Sequence, residues 1–201
     1  MSDELLDIVD DADLVIGQEL RAVVHKHGMQ HRGVHIFLVT PENKLVVQQR
    51  GRQRNNSPLA LDCSVSEHVK AGEDYREAAN RGMAEELGIR DVNIHALIKF
   101  KMDYGPNDRE ICQLYEGRVD PVRVRFDPVE VERIATYSMK ELDELILNGQ
   151  VAFSGWFVQL LCWYLGKPSE LQVLKNYSKR RLLLPGNFLG SSQLSGKPVS
   201  E

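Results

Sequence analysis

The stretch GEDYREAANRGMAEELGI, residues 72–89, restricts most strongly what this chain can fold into. Between Glu73 and Leu87 the apolar residues Tyr75, Ala78, Ala79, Met83 and Leu87 recur at helical spacing, and Gly88 is a stop signal. The spacing predicts a helix entered through a glycine, with one face on a core. It also carries carboxylates: Glu73 at its start, and Glu85 and Glu86 near its end, with Arg81 four residues before Glu85. Clustered carboxylates bind hard cations, and Mg²⁺ typically takes one or two of them while substrate phosphates complete its octahedron. The same pattern also suits a solvated helix face with an Arg81–Glu85 surface pair.

Around this helix the chain reads as alternating elements. The run LDIVDDADLVIG places two apolar segments about an Asp-Asp-Ala-Asp turn, and ELRAVVHKHG follows, ending in Gly28. A hairpin and then a short helix are expected. VHIFLVT and KLVVQQR flank the turn Pro41–Lys44 and should pair as antiparallel strands. Residues 51–58 read as a surface loop. Strands are expected at VNIHALIKFKM and REICQLYEGRV around the turn Tyr104–Asp108. Ser138 and Glu141 have capping-box spacing ahead of KELDELILN, and a further helix should run from Ser154 through Trp156 to Leu165. A last helix is expected between Ser169 and Arg181.

A chain of 201 residues, 42% of them hydrophobic, can bury one substantial core, so a single α/β (α+β) domain over residues 1–184 is expected. The polar, Gly/Ser-rich stretch 185–201 should be a disordered tail. The net charge of −4 provides no bulk attraction for nucleic acid or an anionic membrane, so any anion must be met by a local basic cluster. MSDELLDIVDD has acidic residues where a secretory signal carries positive charge, and the most apolar stretch, VAFSGWFVQLLCWYLG, falls short of the ~20 residues that span a bilayer. Cys63, Cys112 and Cys162 form no CxxC pair, as expected of free thiols in the cytoplasm.

The helix and its entry resemble the Nudix box, in which a Gly-Glu step is followed at fixed offsets by Arg-Glu, an apolar residue, Glu-Glu and Gly-apolar. Gly72, Glu73, Arg81, Met83, Glu85, Glu86, Gly88 and Ile89 match it. Two positions depart: Gly82 stands where many hydrolases have a metal-binding glutamate, and Glu67 stands where the pattern has an earlier glycine. The resemblance narrows to type I isopentenyl diphosphate isomerases through His25, His31-Arg32, Ser64-Val65-Ser66-Glu67-His68, Asp108-Arg109-Glu110 and Ala152-Phe153-Ser154-Gly155-Trp156. It implies a Nudix fold, a mixed β-sheet sandwiched between helices, and a divalent metal held by His25, His31, His68, Asp108 and Glu110. Asp108 and Glu110 also share one strand face by the period-2 rule. Three imidazoles with carboxylates suit Mn²⁺, Zn²⁺ or Fe²⁺ better than Mg²⁺, which is expected at Glu86. Arg21, Arg50 and Arg54 match basic substrate-contacting positions, and the guanidinium fork fits phosphate oxygens. Trp156 would stabilise a carbocation in an isomerase or pack as a core aromatic. His35 is expected to be structural.

The isomerases move protons with a cysteine and a glutamate, and at the cysteine position this chain has Ser66, a far weaker acid. Cys63, three residues earlier, should face away from that site. The expected function is therefore metal-dependent hydrolysis of a small-molecule diphosphate, with Glu85, Glu86, Glu110 and Ser66 as the candidate catalytic residues. Isopentenyl diphosphate isomerisation is the alternative, and a non-catalytic diphosphate sensor a third reading.

Overall fold

The computed structural model describes residues 4–54, 56–105 and 107–178, so the expected tail, 185–201, lies outside the described residues. The chain opens with the hairpin β1 (Leu5–Val9) and β2 (Val15–Leu20). The turn brings Asp13 to a φ of 62°. Helix α1 (Arg21–His27) follows and closes on Gly28 in the left-handed conformation. Strands β3 (His31–Val39), β4 (Leu45–Arg50), β5 (Leu61–Asp62) and β6 (Val65–His68) lead into α2 (Tyr75–Leu87). Then come β7 (Ile94–Asp103), β8 (Arg109–Arg118), β9 (Val131–Tyr137), α3 (Met139–Asn148), α4 (Gly155–Tyr164) and β10 (Gln172–Asn176).

The main sheet runs β10-β7-β8-β3-β4-β5, with β6 also paired to β3 and β9 to β4. It is mixed, because β3 and β8 are parallel while β3–β4, β3–β6 and β7–β8 are antiparallel. Alternation along β3 divides the core between the two faces. Ile36 and Leu38 pack with Ala78, Ala79, Met83 and Leu87 of α2. Phe37 and Val39 pack with Leu142 of α3 and with Phe157, Leu160 and Leu161 of α4. The sheet therefore lies between helices, as expected, and each fully buried Leu or Phe contributes roughly 1.5–3 kcal/mol.

Several boundaries differ from the sequence reading. Helix α2 begins at Tyr75 rather than Glu73, because Asp74 is an extended N-cap whose side chain accepts from the backbone N–H groups of Arg76 and Glu77. Strand β3 starts three residues earlier than expected, at His31, where its parallel register with β8 begins. Strand β9 was not expected: VERIATY lacks strict alternation, and its pairing with β4 defines it. Of the helix expected over 169–181, positions 179–181 lie outside the described residues, and Gln172–Asn176 instead form β10, an edge strand on β7. Among the described residues no helix is long and apolar enough to cross a membrane.

Candidate functional site

Register alone brings the candidate ligands together. At the start of β3, His31 lies opposite Glu110 of β8, and two residues on, Gly33 lies opposite His68 of β6. Gly33 permits this closeness, since a Cβ there would come within 2.7 Å of Glu110 Oε2 and 2.9 Å of Cys112 Sγ. Helix α1 adds His25. The three imidazole rings have centroids 4.9–5.2 Å apart. His31 Nε2 and His68 Nε2 stand 3.2 and 3.6 Å from Glu110 Oε1, and His25 Nδ1 stands 3.4 Å from Asp108 Oδ1. His27, two residues from His25, is exposed and outside this cluster.

Burial opposes charge on both His31 and Glu110, but their mutual contact prevails. The His31 pKa is raised and the Glu110 carboxyl is held well below its ordinary range. Burial drives His68 far below the usual histidine value, which leaves the neutral ring that binds metals. His31 Nδ1 donates to the Met29 carbonyl at 3.0 Å, so the neutral ring presents a lone pair at Nε2. That buried atom makes no hydrogen bond of suitable direction, and neither does Asp108 Oδ1. His25, His31 and His68, and likewise His31, Asp108 and Glu110, each offer ligand atoms close enough together to hold one metal ion.

The cluster forms one wall of a cleft of about 1170 Å³ that also receives Arg21, Arg50, Arg54, Ser66, Glu85, Glu86 and Trp156. All the sequence-predicted site residues described as cleft groups therefore meet there, except that His31 lies fully buried behind the wall. Their situations differ. Arg21 Nε donates to His68 Nδ1 at 3.3 Å. Arg54 pairs with Glu130, and burial lowers its pKa. Glu85 is 55% exposed and joined to Arg81 at 3.1 Å, so it belongs to the rim. Glu86 is buried, with Oε2 accepting from Gln48 at 2.9 Å and Oε1 lacking a hydrogen-bond partner. Burial and then the charge of Glu67 push its carboxyl well above the usual range.

Sequence reasoning missed Asp62. Fully buried, its Oδ1 accepts from Trp156 Nε1 at 2.6 Å, the Cys63 N–H at 2.7 Å, Ser154 Oγ at 2.9 Å and Ser66 Oγ at 3.3 Å. Its Oδ2 accepts from Arg50 Nη1 at 2.6 Å. The Arg50 guanidinium consequently lies over the Trp156 ring, 5.0 Å from its centroid. One carboxylate thus fixes three cleft residues, and the available signal was an aspartate inside the apolar run LALDCSV. His35 was read as structural, yet it lines the cleft and holds Ser66 Oγ at 3.0 Å through Nδ1. Cys63 is buried in the core and is not part of the cleft lining.

A carboxylate-bearing helix packed on a mixed sheet, beside a cleft of imidazoles, acids and arginines, defines the class. The NUDIX domain profile matches residues 29–157, and the chain belongs to that family. An uncharacterised Nudix hydrolase of Nostoc sp. is 37% identical over 120 residues, spanning 58% of this chain and 70% of the relative. The isopentenyl-diphosphate Delta-isomerase of Pectobacterium atrosepticum is 25% identical over 153 residues, spanning 75% and 85% of the two chains. The crystal structure of DR0079 from Deinococcus radiodurans aligns with a TM-score of 0.68 at 28% identity, covering 79% of this chain and 97% of that one.

Proposed function

We propose that this Nudix protein hydrolyses a diphosphate linkage in a small molecule with the help of divalent metal ions. The observation that carries the reading is the convergence of His31 Nε2, Asp108 Oδ1 and Glu86 Oε1, buried atoms that make no hydrogen bond, about a cleft bordered by arginines. His25, His31, His68, Asp108 and Glu110 would hold Mn²⁺ or Zn²⁺, and Glu86 would hold Mg²⁺. Such ions, when bound, polarise a phosphorus centre and lower the pKa of water. Arg50, already oriented by Asp62, and Arg54 supply guanidinium donors for phosphate oxygens. Trp156, pinned through its indole N–H, gives the organic part of the substrate an apolar wall.

Isopentenyl diphosphate isomerisation is the second reading, favoured by the isomerase relative and by the convergence of three histidines with two acids. Two features weigh against it. The Ser66 hydroxyl is engaged by His35 and Asp62 and offers no thiolate. One face of Trp156 already carries a guanidinium, which repels a developing carbocation. The test incubates purified protein with Mg²⁺ and Mn²⁺ in D₂O, with isopentenyl diphosphate and separately with a panel of diphosphate compounds, following deuterium incorporation and phosphate release together. Phosphate release from a panel member supports hydrolysis. Deuterium exchange without phosphate overturns it in favour of isomerisation, and neither signal across the panel defeats both.

A further inference from the structure

The two departures from the Nudix box touch each other. Glu67 sits on β6 and Gly82 on α2, fifteen residues apart in sequence, yet a Cβ built on Gly82 would lie 2.8 Å from Glu67 Cγ and 2.8 Å from Val65 Cγ1. The glycine on the helix is the space through which the Glu67 side chain passes. Beyond that gap Glu67 enters the cleft beside Glu86, where Arg81 Nη1 bonds its Oε2 at 3.1 Å. We propose that glutamate and glycine have exchanged places, and that Glu67, reaching over Gly82 from the neighbouring strand, joins Glu86 as a ligand of a second divalent cation in the site.

Two observations support this. Glu86 is 4% exposed and its Oε1 is a buried acceptor on the cleft without a hydrogen-bond partner, so the protein around it does not satisfy it. Arg81 anchors Glu67 while also bonding Glu73 at 2.8 Å and the His68 carbonyl at 2.8 Å, which orients the Glu67 carboxylate in the way outer partners orient metal ligands. Two carboxylates and an open cleft suit a hard cation that keeps several waters and accepts substrate phosphates, unlike the imidazole-rich cluster on the other wall. The assignment rests on the metal-dependent hydrolase reading above, and it explains why this chain can lack a glutamate at position 82.

The test titrates the full chain with Mn²⁺ alone and reads free Mn²⁺ by electron paramagnetic resonance. Wild-type protein should bind two ions, the tighter one lost in His31→Ala. Glu67→Gln, which keeps the shape over Gly82 and removes the charge, should retain the tighter ion and weaken the other by about tenfold or more. A smaller change, or a single ion in the wild type, overturns the proposal. Circular dichroism checks folding, and should Glu67→Gln unfold, Glu67→Asp carries the same expectation by withdrawing the carboxylate one methylene. Two ions bound by a wild type that cleaves no diphosphate would defeat the hydrolase reading alone. A Glu67→Gln protein that still binds both, beside an active wild type, would defeat only this proposal.

Discussion

Asp62→Asn is the substitution whose consequence the structure defines most fully. The side chain is fully buried and its partner Arg50 is nearly so, with their atoms 2.6 Å apart. An asparagine that keeps its carbonyl at the Oδ1 position can still accept from Trp156, Ser154 and the Cys63 N–H. Its amide then faces Arg50 Nη1 donor to donor, and the guanidinium is left as an uncompensated buried charge. Breaking a buried pair from one side costs about 3–5 kcal/mol. In a chain of this size each kcal/mol moves the thermal midpoint by roughly 2–4 °C, so a fall of about 6–20 °C is expected. Equilibrium urea denaturation measures the free energy. The double variant Arg50→Met/Asp62→Asn should be more stable than Asp62→Asn alone, because the stranded charge is gone. A loss below about 1 kcal/mol for Asp62→Asn, or strict additivity in the double variant, would refute the view of Asp62 as the electrostatic anchor of the cleft.

Other substitutions probe separate parts of the argument. Gly82→Ala in an exposed helix would stabilise by about 1 kcal/mol, but here the new methyl meets Val65 and Glu67, so a net destabilisation of about 1–2 kcal/mol is expected; a rise in stability would contradict the packing. His31→Ala and His68→Ala should each leave substoichiometric metal in protein purified without chelator, and unchanged elemental content in both would contradict the imidazole site. Burial lowers the His35 pKa from 6.5, so the unfolded chain binds the extra proton and stability present above that pH falls as pH drops below it. In metal-free protein His35→Gln should therefore flatten the decline in thermal midpoint between about pH 7.5 and 5.5 relative to wild type, and parallel curves would show that His35 is not the group titrating.

The parts of the fold legible in the sequence are those in which local signal and tertiary demand coincide. Helix α2 combines an apolar stripe with Gly88 in the left-handed conformation, and α3 carries a capping box at Ser138 and Glu141. Strands β7 and β8 are long, half-apolar runs about a turn. Strands β9 and β10 were illegible for the opposite reason. Each is defined by the strand it pairs with, and four of the five β10 residues are exposed, so little hydrophobic pattern is imposed on it. The start of β3 was missed because His31-Arg32-Gly33 has no strand composition. Its extended form follows from pairing with Glu110, Ile111 and Cys112.

The candidate site was legible to the extent that the residues meeting there are of types informative singly or at fixed spacing, such as three histidines, Asp108 with Glu110, and Glu85 with Glu86. What remained hidden is relational. Asp62 is one aspartate in an apolar run until the fold brings Trp156 to it across 94 positions and Arg50 across 12. Gly82 and Glu67 each read as a loss when compared with a pattern one position at a time. The contact between β6 and α2 turns the two losses into a single steric statement, since a side chain at 82 and a carboxylate at 67 cannot occupy the same space. A substitution pattern that keeps one of the two positions small and the other acidic is what that geometry requires. Placing a carboxylate at both would force Val65 Cγ1 and Glu67 Cγ apart inside a packed face, and removing it from both would leave Arg81 without one of its three carboxylate partners.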